Sequence, residues 1–264
     1  MTEFRPSSFQ ILPTVIKNLL IINGLFFLAQ NTIGNQGQQG LLNMDDLFAL
    51  HTWQSSLFRP WQFVTHLFMH GGFEHILMNM FALWMFGSIL ENLWGPKRFL
   101  IFYIACGLGA ALFHMLVLYF ENQSMISAYN AINVFNPDSP EYAIRLQSFI
   151  EKFTPVDRPL PLDIQTANGI LNARLNEGTI GASGAVFGCL AAFGYLFPNT
   201  YIYLYFFLPI KAKWFVIGYA AVELYSAVKN SAGDNVAHIA HLGGALVGVL
   251  LVYFWNKNSR KTFF

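Results

Sequence analysis

Six apolar segments constrain this chain more than any other feature of its sequence. A bilayer core about 30 Å thick needs about 20 mostly apolar residues per helix. Composition agrees with a membrane setting, because 55% of the 264 residues are hydrophobic and only 11% are charged, against about 25% charged in soluble domains. We therefore predict an all-α membrane protein with six transmembrane helices, at about residues 12–32, 71–92, 99–120, 182–198, 212–229 and 236–255.

A polar stretch of about 60 residues separates the third and fourth predicted helices, and it must lie outside the hydrocarbon. Within it, Ser139 followed by Pro140 predicts the start of a short amphipathic helix. The stretch YIYLYFFLPI, residues 201–210, is too short to cross, and its tyrosines suit an interface. We predict one membrane domain over residues 1–264, with a core at 60–255 and an extracytoplasmic insertion at about 121–180.

The distribution of basic residues predicts the orientation in the membrane. With the N-terminus inside, the inner segments carry nine of the fifteen basic residues: Arg5, Lys17, Lys97, Arg98, Lys211, Lys213, Lys257, Arg260 and Lys261. This excess follows the positive-inside rule. We expect a multi-pass protein of a bacterial cytoplasmic membrane, with both termini cytoplasmic. The net charge of +1 gives no indication of a nucleic-acid partner.

Polar groups in the second, fourth and sixth helices lie at one predicted depth. Ser183, His241 and Asn79 are each 14 or 15 residues from the cytoplasmic end of their helix. At 1.5 Å per residue, all three lie about 21 to 23 Å above the inner boundary. They are therefore submerged, several ångströms below the outer surface.

These residue types match the requirements of acyl transfer. A serine is a nucleophile, a neutral histidine can take its proton, and His75, which shares a helix face with Asn79, adds polar donors. The free N–H groups at the start of the Ser183 helix favour a developing oxyanion. Asp234 lies seven residues from His241, and Glu91 lies near the other membrane face. The sequence thus predicts a Ser/His dyad without an acidic third member.

At these residues the chain closely resembles the rhomboid family of intramembrane serine proteases. The resemblance covers roughly residues 60–255, with its motifs in the right order. It rests on Gly181-x-Ser183-Gly184, on AHLGGALVG with His241, on HGGFEHILMN with His75 and Asn79, and on Gly87, Glu91, Gly95 and Arg98 in FGSILENLWGPKRF.

The resemblance implies a six-helix rhomboid-like bundle that cleaves transmembrane protein substrates near the extracytoplasmic face without a cofactor. It implies that Ser183 is the nucleophile and His241 the general base. The oxyanion hole would consist of His75, Asn79 and the Ser183 backbone N–H.

The chain departs from the family pattern in three places. The Trp-Arg pair of the first outer loop reads Trp61-Gln62, with Arg59 as a possible substitute. The loop at 121–180 is longer than usual. His238 is a second histidine near the base, but the spacing of the motif favours His241.

The small residues have a structural interpretation too. Runs of small residues four apart are typical of closely packed membrane helices. Gly184 with Gly188, and Gly244 with Gly248, are expected to let the fourth and sixth helices approach, while Gly181 keeps the surroundings of the nucleophile open. Cys106 and Cys189 lie in apolar runs and are interpreted as buried hydrophobic residues.

Two alternatives stay open. One is a catalytically silent rhomboid-like protein that binds membrane clients, although the intact Ser183/His241 pair weighs against it. The other is a membrane metal site built on histidines such as His66, His70 and His75, for which the spacing is weak evidence. The sequence does not indicate the oligomeric state.

Overall fold

The structure is a computed structural model, and it describes residues 9–32, 43–154, 160–204, 207–229 and 238–259. The described chain is mostly helical. Arg5, Arg260, Lys261 and Asp234, which entered the sequence predictions, lie outside these residues. The helices are α1 (Thr14–Thr32), α2 (Met44–Phe48), α3 (Gln62–Thr65), α4 (Phe73–Ala82), α5 (Ser88–Trp94), α6 (Pro96–Ile132), α7 (Pro140–Phe153), α8 (Ile164–Leu175), α9 (Ser183–Leu196), α10 (Ala212–Lys229) and α11 (His238–Ser259).

Each of the six predicted spans contains a helix. By length and hydropathy, three helical stretches among the described residues can cross a membrane: Phe73–Trp94, Pro96–Ile132 and His238–Lys257. α9 is apolar but has only 14 residues. α1 and α10 have 19 and 18 residues. The protein is thus a helical membrane protein, and the count of six spans stays a prediction.

The second span combines α4 and α5 with a π-helical turn at Leu83–Gly87 between them. It ends at Gly95, whose φ of 80° is accessible to glycine at little cost, and Pro96 then opens α6. This corner reverses the chain within one residue.

The core of the bundle surrounds α9. Ten of its fourteen residues are buried, and it packs against α6 and α11. The free cysteines Cys106 and Cys189 belong to this core and are fully buried. A short helix is sufficient here because α9 is enclosed by protein on most sides.

The end of the bundle opposite Ser183 is held by a buried carboxylate. Glu91 accepts hydrogen bonds from the backbone N–H groups of Val15 (2.8 Å) and Ile16 (2.9 Å), at the start of α1. Those groups have no partner within the helix. The Arg98 guanidinium lies 4.1 Å from the ring centre of Trp255, so that α1, α5, α6 and α11 are joined at this end.

The region at 121–180 forms a second hydrophobic cluster. α6 extends to Ile132, twelve residues beyond the predicted third span. α7 begins as predicted, with Pro140 first and Ser139 Oγ accepting from the Tyr142 N–H. The sequence reasoning did not foresee α8. These three helices bury a small core of their own: Met125, Ile132, Leu146, Phe149, Ile150, Ala167 and Leu171.

α8 starts at a capping aspartate. Asp163 accepts from the Thr166 N–H at 2.7 Å. This hydrogen bond lowers the pKa of the exposed Asp163 carboxyl, since it favours the charged form.

The prediction of an all-α chain needs correction at residues 201–211. Here β1 (Tyr201–Leu204) and β2 (Leu208–Lys211) pair antiparallel. Aromatic and β-branched residues favour strands, and the segment is too short to form a membrane-crossing helix. The segment forms a hairpin rather than a helix, and its position at the membrane interface stays a prediction.

Candidate functional site

Ser183 and His241 come together although 58 positions separate them. Ser183 is the first residue of α9, and His241 lies one turn into α11. The Ser183 hydroxyl lies 2.9 Å from His241 Nε2, and the His241 residue is only 8% exposed. A hydroxyl in contact with a buried imidazole can be activated for attack when that nitrogen is unprotonated.

The neighbouring helix α10 supplies a carboxylate. Glu223 Oε2 accepts from His241 Nδ1 at 3.0 Å and from His238 Nδ1 at 2.6 Å. A carboxylate only accepts, so Nδ1 of His241 carries the proton and Nε2 is left with a lone pair facing Ser183. This is the tautomer that general-base catalysis requires.

The dyad predicted from the sequence did not include this carboxylate, which the structure places at His241 Nδ1. Asp234 and Glu91 were the acids weighed as third members from the sequence, whereas Glu223 reaches His241 from α10. A signal was present, because an ionisable residue inside a predicted span is costly and marks a candidate functional position.

An aromatic stack fixes the plane of the His241 ring. Phe187, one turn after Ser183 on α9, lies parallel to His241 with ring centres 4.2 Å apart and planes 4° apart. Tyr219 stacks on the other face of Phe187 at 5.0 Å. Phe187 could not be recognised from the sequence, because an aromatic residue in an apolar span carries no separate signal.

His75 is placed to donate toward the space beside Ser183. Its Nδ1 accepts from the Gly71 N–H at 3.2 Å, so a neutral His75 carries its proton on Nε2. A methyl group built on Gly181 would lie 3.0 Å from His75 Nε2 and 3.4 Å from Ser183 Oγ. An oxyanion at this point would lie within hydrogen-bond distance of His75 Nε2 and in contact with Ser183 Oγ, as an oxyanion hole requires.

Asn79 lies one turn after His75 and is buried. Its Nδ2 donates to the His75 carbonyl oxygen at 2.9 Å. A side-chain amide has two N–H groups, so one of them stays available.

The segment that leads to Ser183 is tied to the first outer loop. Gly181, with φ of 130°, donates its N–H to the His66 carbonyl oxygen at 2.9 Å. Thr179 and Leu50 exchange two backbone hydrogen bonds, and His114 Nε2 lies 2.9 Å from Thr179 Oγ1. His114, the only histidine of α6, is thus hydrogen-bonded to Thr179.

The glycines lie where α9 and α11 meet. A methyl group added at Gly244 would collide with the Gly184 carbonyl group, and one at Gly248 would lie 2.7 Å from the Gly188 carbonyl oxygen. One at Gly184 would collide with Ala110 of α6. Backbone packs directly on backbone here, and this close approach brings Ser183 within reach of His241.

The first outer loop is organised by Gln62. Its side chain is fully buried, accepts from the Arg59 N–H at 3.0 Å and donates to the Leu57 carbonyl oxygen at 3.0 Å. The Arg59 guanidinium is exposed and bonds to the carbonyl oxygens of Ser56 and Phe58. Gln62 itself, rather than Arg59, holds the loop together.

His66, His70 and His75 do not form a ligand cluster. His66 Nδ1 donates to the Gln62 carbonyl oxygen at 2.8 Å, and the rings of His70 and His75 meet edge to face at 5.1 Å. Within the described part of the chain, the one group of side chains at metal-ligand spacing consists of Glu223, His238 and His241.

Comparison with known families matches one family over most of the chain. The family described as Rhomboid domain matches residues 58–128 and 165–258, which is more than half of the chain. Ser183, His241, Glu223, His75 and Asn79 all fall within the matched residues.

Relatives of known name are also rhomboids. An uncharacterised mitochondrial rhomboid protein of Schizosaccharomyces pombe is 30% identical over 227 residues, covering 78% of this chain and 55% of that protein. Mitochondrial rhomboid protein 1 of Saccharomyces cerevisiae is 27% identical over 194 residues, covering 74% and 41%. Rhomboid protease GluP of Bacillus subtilis is 33% identical over 72 residues, covering 26% and 14%. The chain spans about half the length of the first two.

These relatives correct the expected location. The sequence predicts a bacterial cytoplasmic membrane with cytoplasmic termini, but the Schizosaccharomyces pombe and Saccharomyces cerevisiae relatives, which cover 78% and 74% of this chain, are named as mitochondrial. The positive-inside argument has no means of distinguishing one energised membrane from another. The family match and these relatives together show that the chain belongs to the rhomboid family.

Proposed function

We propose that this protein is a serine endopeptidase that cleaves transmembrane protein substrates within the bilayer of the mitochondrial inner membrane. The observation that carries the proposal is the contact between Ser183 Oγ and His241 Nε2 at 2.9 Å, with Glu223 behind the imidazole. Membership in a family that includes proteases supports it. In this proposal six spans enclose the site.

The reaction begins with the attack of Ser183 Oγ on the substrate carbonyl carbon. His241 Nε2 accepts the hydroxyl proton, and the resulting imidazolium is stabilised by the Glu223 carboxylate at Nδ1. His241 then donates this proton to the leaving amine. Water, deprotonated by the same histidine, releases the acyl group from Ser183.

The negative charge on the carbonyl oxygen develops beside Gly181. The backbone N–H of Ser183 begins α9 and has no acceptor within the helix, so it is free to donate. His75 Nε2–H and the second N–H of the Asn79 amide complete the oxyanion hole. No metal or organic cofactor is needed for these steps.

The direct test is cleavage of a single-span test substrate by the purified protein in liposomes. Ser183→Ala removes the nucleophile and is expected to abolish cleavage while leaving the melting temperature close to that of wild type. Ser88→Ala is the matched control, because it removes the hydroxyl of another buried serine, on α5. Equal cleavage by Ser183→Ala and wild type would refute the proposal.

The same assay separates a protease from a silent client-binding relative. A silent protein would bind the substrate and leave it uncut in wild type as well. Labelling of Ser183 by a fluorophosphonate provides a second measure, since only an activated serine reacts.

Glu223 is expected to act by positioning His241. Glu223→Gln leaves a side chain of equal size but can present an N–H to His241 Nδ1, which favours the wrong tautomer, and the cleavage rate should fall by 10²-fold or more. Glu223→Asp retains the charge and should restore part of the rate. A purely structural role would instead lower the melting temperature in both variants and leave the rate of the folded fraction unchanged.

A further inference from the structure

The Glu223 carboxylate connects two histidines, although the proposed reaction uses only one of them. His238 donates to the same Oε2 atom that holds His241. The ligand atoms of the three side chains all lie within 4.8 Å of one another, and Glu223 and His241 are buried. Two imidazoles and a carboxylate are a set of donors that binds zinc in many proteins.

The spacing of these atoms is close to that of a zinc cage. Zinc lies 2.0 to 2.2 Å from nitrogen and oxygen ligands, so in a tetrahedral site two ligand atoms are about 3.3 Å apart. The two contacts of Glu223 Oε2 measure 2.6 Å and 3.0 Å. Shifts of a few tenths of an ångström would bring these two pairs to the spacing of zinc ligands, and the two histidine ligand atoms lie within 4.8 Å of each other.

We propose that Glu223, His238 and His241 form an inhibitory binding site for a divalent zinc-like ion. This inference depends on the proposed protease function, because it assigns a regulator to the same histidine. Water would take the fourth position. The His238 side chain is 16% exposed, at the first residue of α11, and offers the route of entry.

The inhibition follows because zinc would bind one nitrogen of the His241 ring while Ser183 depends on the other. A metal bound at His241 Nδ1 needs the lone pair of that atom, so the proton of the neutral imidazole moves to Nε2. Nε2 then donates to Ser183 Oγ and can no longer accept its proton. The negative charge of Glu223 is also neutralised by the ion, so the imidazolium loses its stabilising partner.

The binding test uses zinc alone, by equilibrium dialysis with elemental analysis. Wild type and Ser183→Ala both keep all three ligands and are expected to bind one zinc per chain with equal affinity. His238→Asn should weaken binding at least tenfold. His70→Asn, which removes a histidine outside the cluster, should not weaken it.

The inhibition test measures fluorophosphonate labelling of wild type and His238→Asn over a range of zinc concentrations. His238→Asn should label without zinc and need at least tenfold more zinc for half inhibition. If His238→Asn misfolds, His238→Gln replaces it in both the dialysis and the labelling measurements.

The outcomes distinguish the two proposals. If the protein is labelled or cleaves substrate but binds no zinc, the metal site alone is overturned. The same holds if His238→Asn and wild type bind zinc with equal affinity. A protein that binds zinc through His238 but never labels or cleaves would overturn the protease function and keep the site.

Discussion

The contact between the backbones of α9 and α11 allows a quantitative prediction for Gly244→Ala. The new methyl group would collide with the Gly184 carbonyl oxygen and lie 2.7 Å from its carbonyl carbon, where ordinary contact begins at 3.4 Å. The obstructing atoms belong to the backbone of α9, so no flexible side chain can move aside to relieve the contact. The two helices must therefore separate by at least about 0.7 Å.

This separation acts directly on the proposed catalytic contact. The distance from Ser183 Oγ to His241 Nε2 is 2.9 Å, and the same displacement takes it to about 3.6 Å, beyond a hydrogen bond. Misplacement of catalytic groups by about 1 Å can cost about 10²-fold in rate. Overpacking should also destabilise the fold by about 1 to 3 kcal/mol.

The measurement is the rate of fluorophosphonate labelling, normalised to folded protein. Gly218→Ala is the matched control, since a methyl group at this glycine of α10 has nothing within 4 Å. Gly244→Ala should label about 100-fold more slowly than Gly218→Ala. Equal rates in the two variants would show that the backbone contact does not set the distance between serine and histidine.

Three further predictions concern other parts of the molecule. Gly181→Ala places a methyl group where the oxyanion should form, at a φ of 130° that disfavours alanine. Labelling should therefore slow by about 10²-fold. A labelling rate equal to that of Gly218→Ala would contradict this prediction. Glu91→Gln weakens the buried cap of α1 and should lower stability by about 2 kcal/mol in thermal unfolding, whereas the exposed Glu74→Gln should not. Because the pKa of Asp163 is lowered in the folded state, its capping of α8 stabilises above its unfolded pKa of about 3.9 and is lost as pH falls. As the pH falls from 7 through the folded-state pKa of Asp163, the first-turn amides of α8 should lose protection from hydrogen exchange in wild type and keep it in Asp163→Asn.

The sequence determined the helices and much of the proposed site. Apolar runs predict helices because a bilayer leaves the backbone no other partners, and all six predicted segments contain one. Counting helix rise was sufficient to place Ser183 and His241 at one depth, because the rise per residue of a helix varies little. Ser139 and Pro140 predict the start of α7 because capping is local chemistry.

Only the tertiary structure decided which helices are neighbours. Glu223 and Phe187 reach His241 from α10 and α9, and no spacing along the chain encodes a contact between separate helices. The hairpin at 201–211 and helix α8 also have only weak sequence patterns of their own, so their formation depends on tertiary packing. The proposed nucleophile and base can be recognised in the sequence, but the carboxylate proposed to orient the base reaches His241 only because α10 packs beside α11.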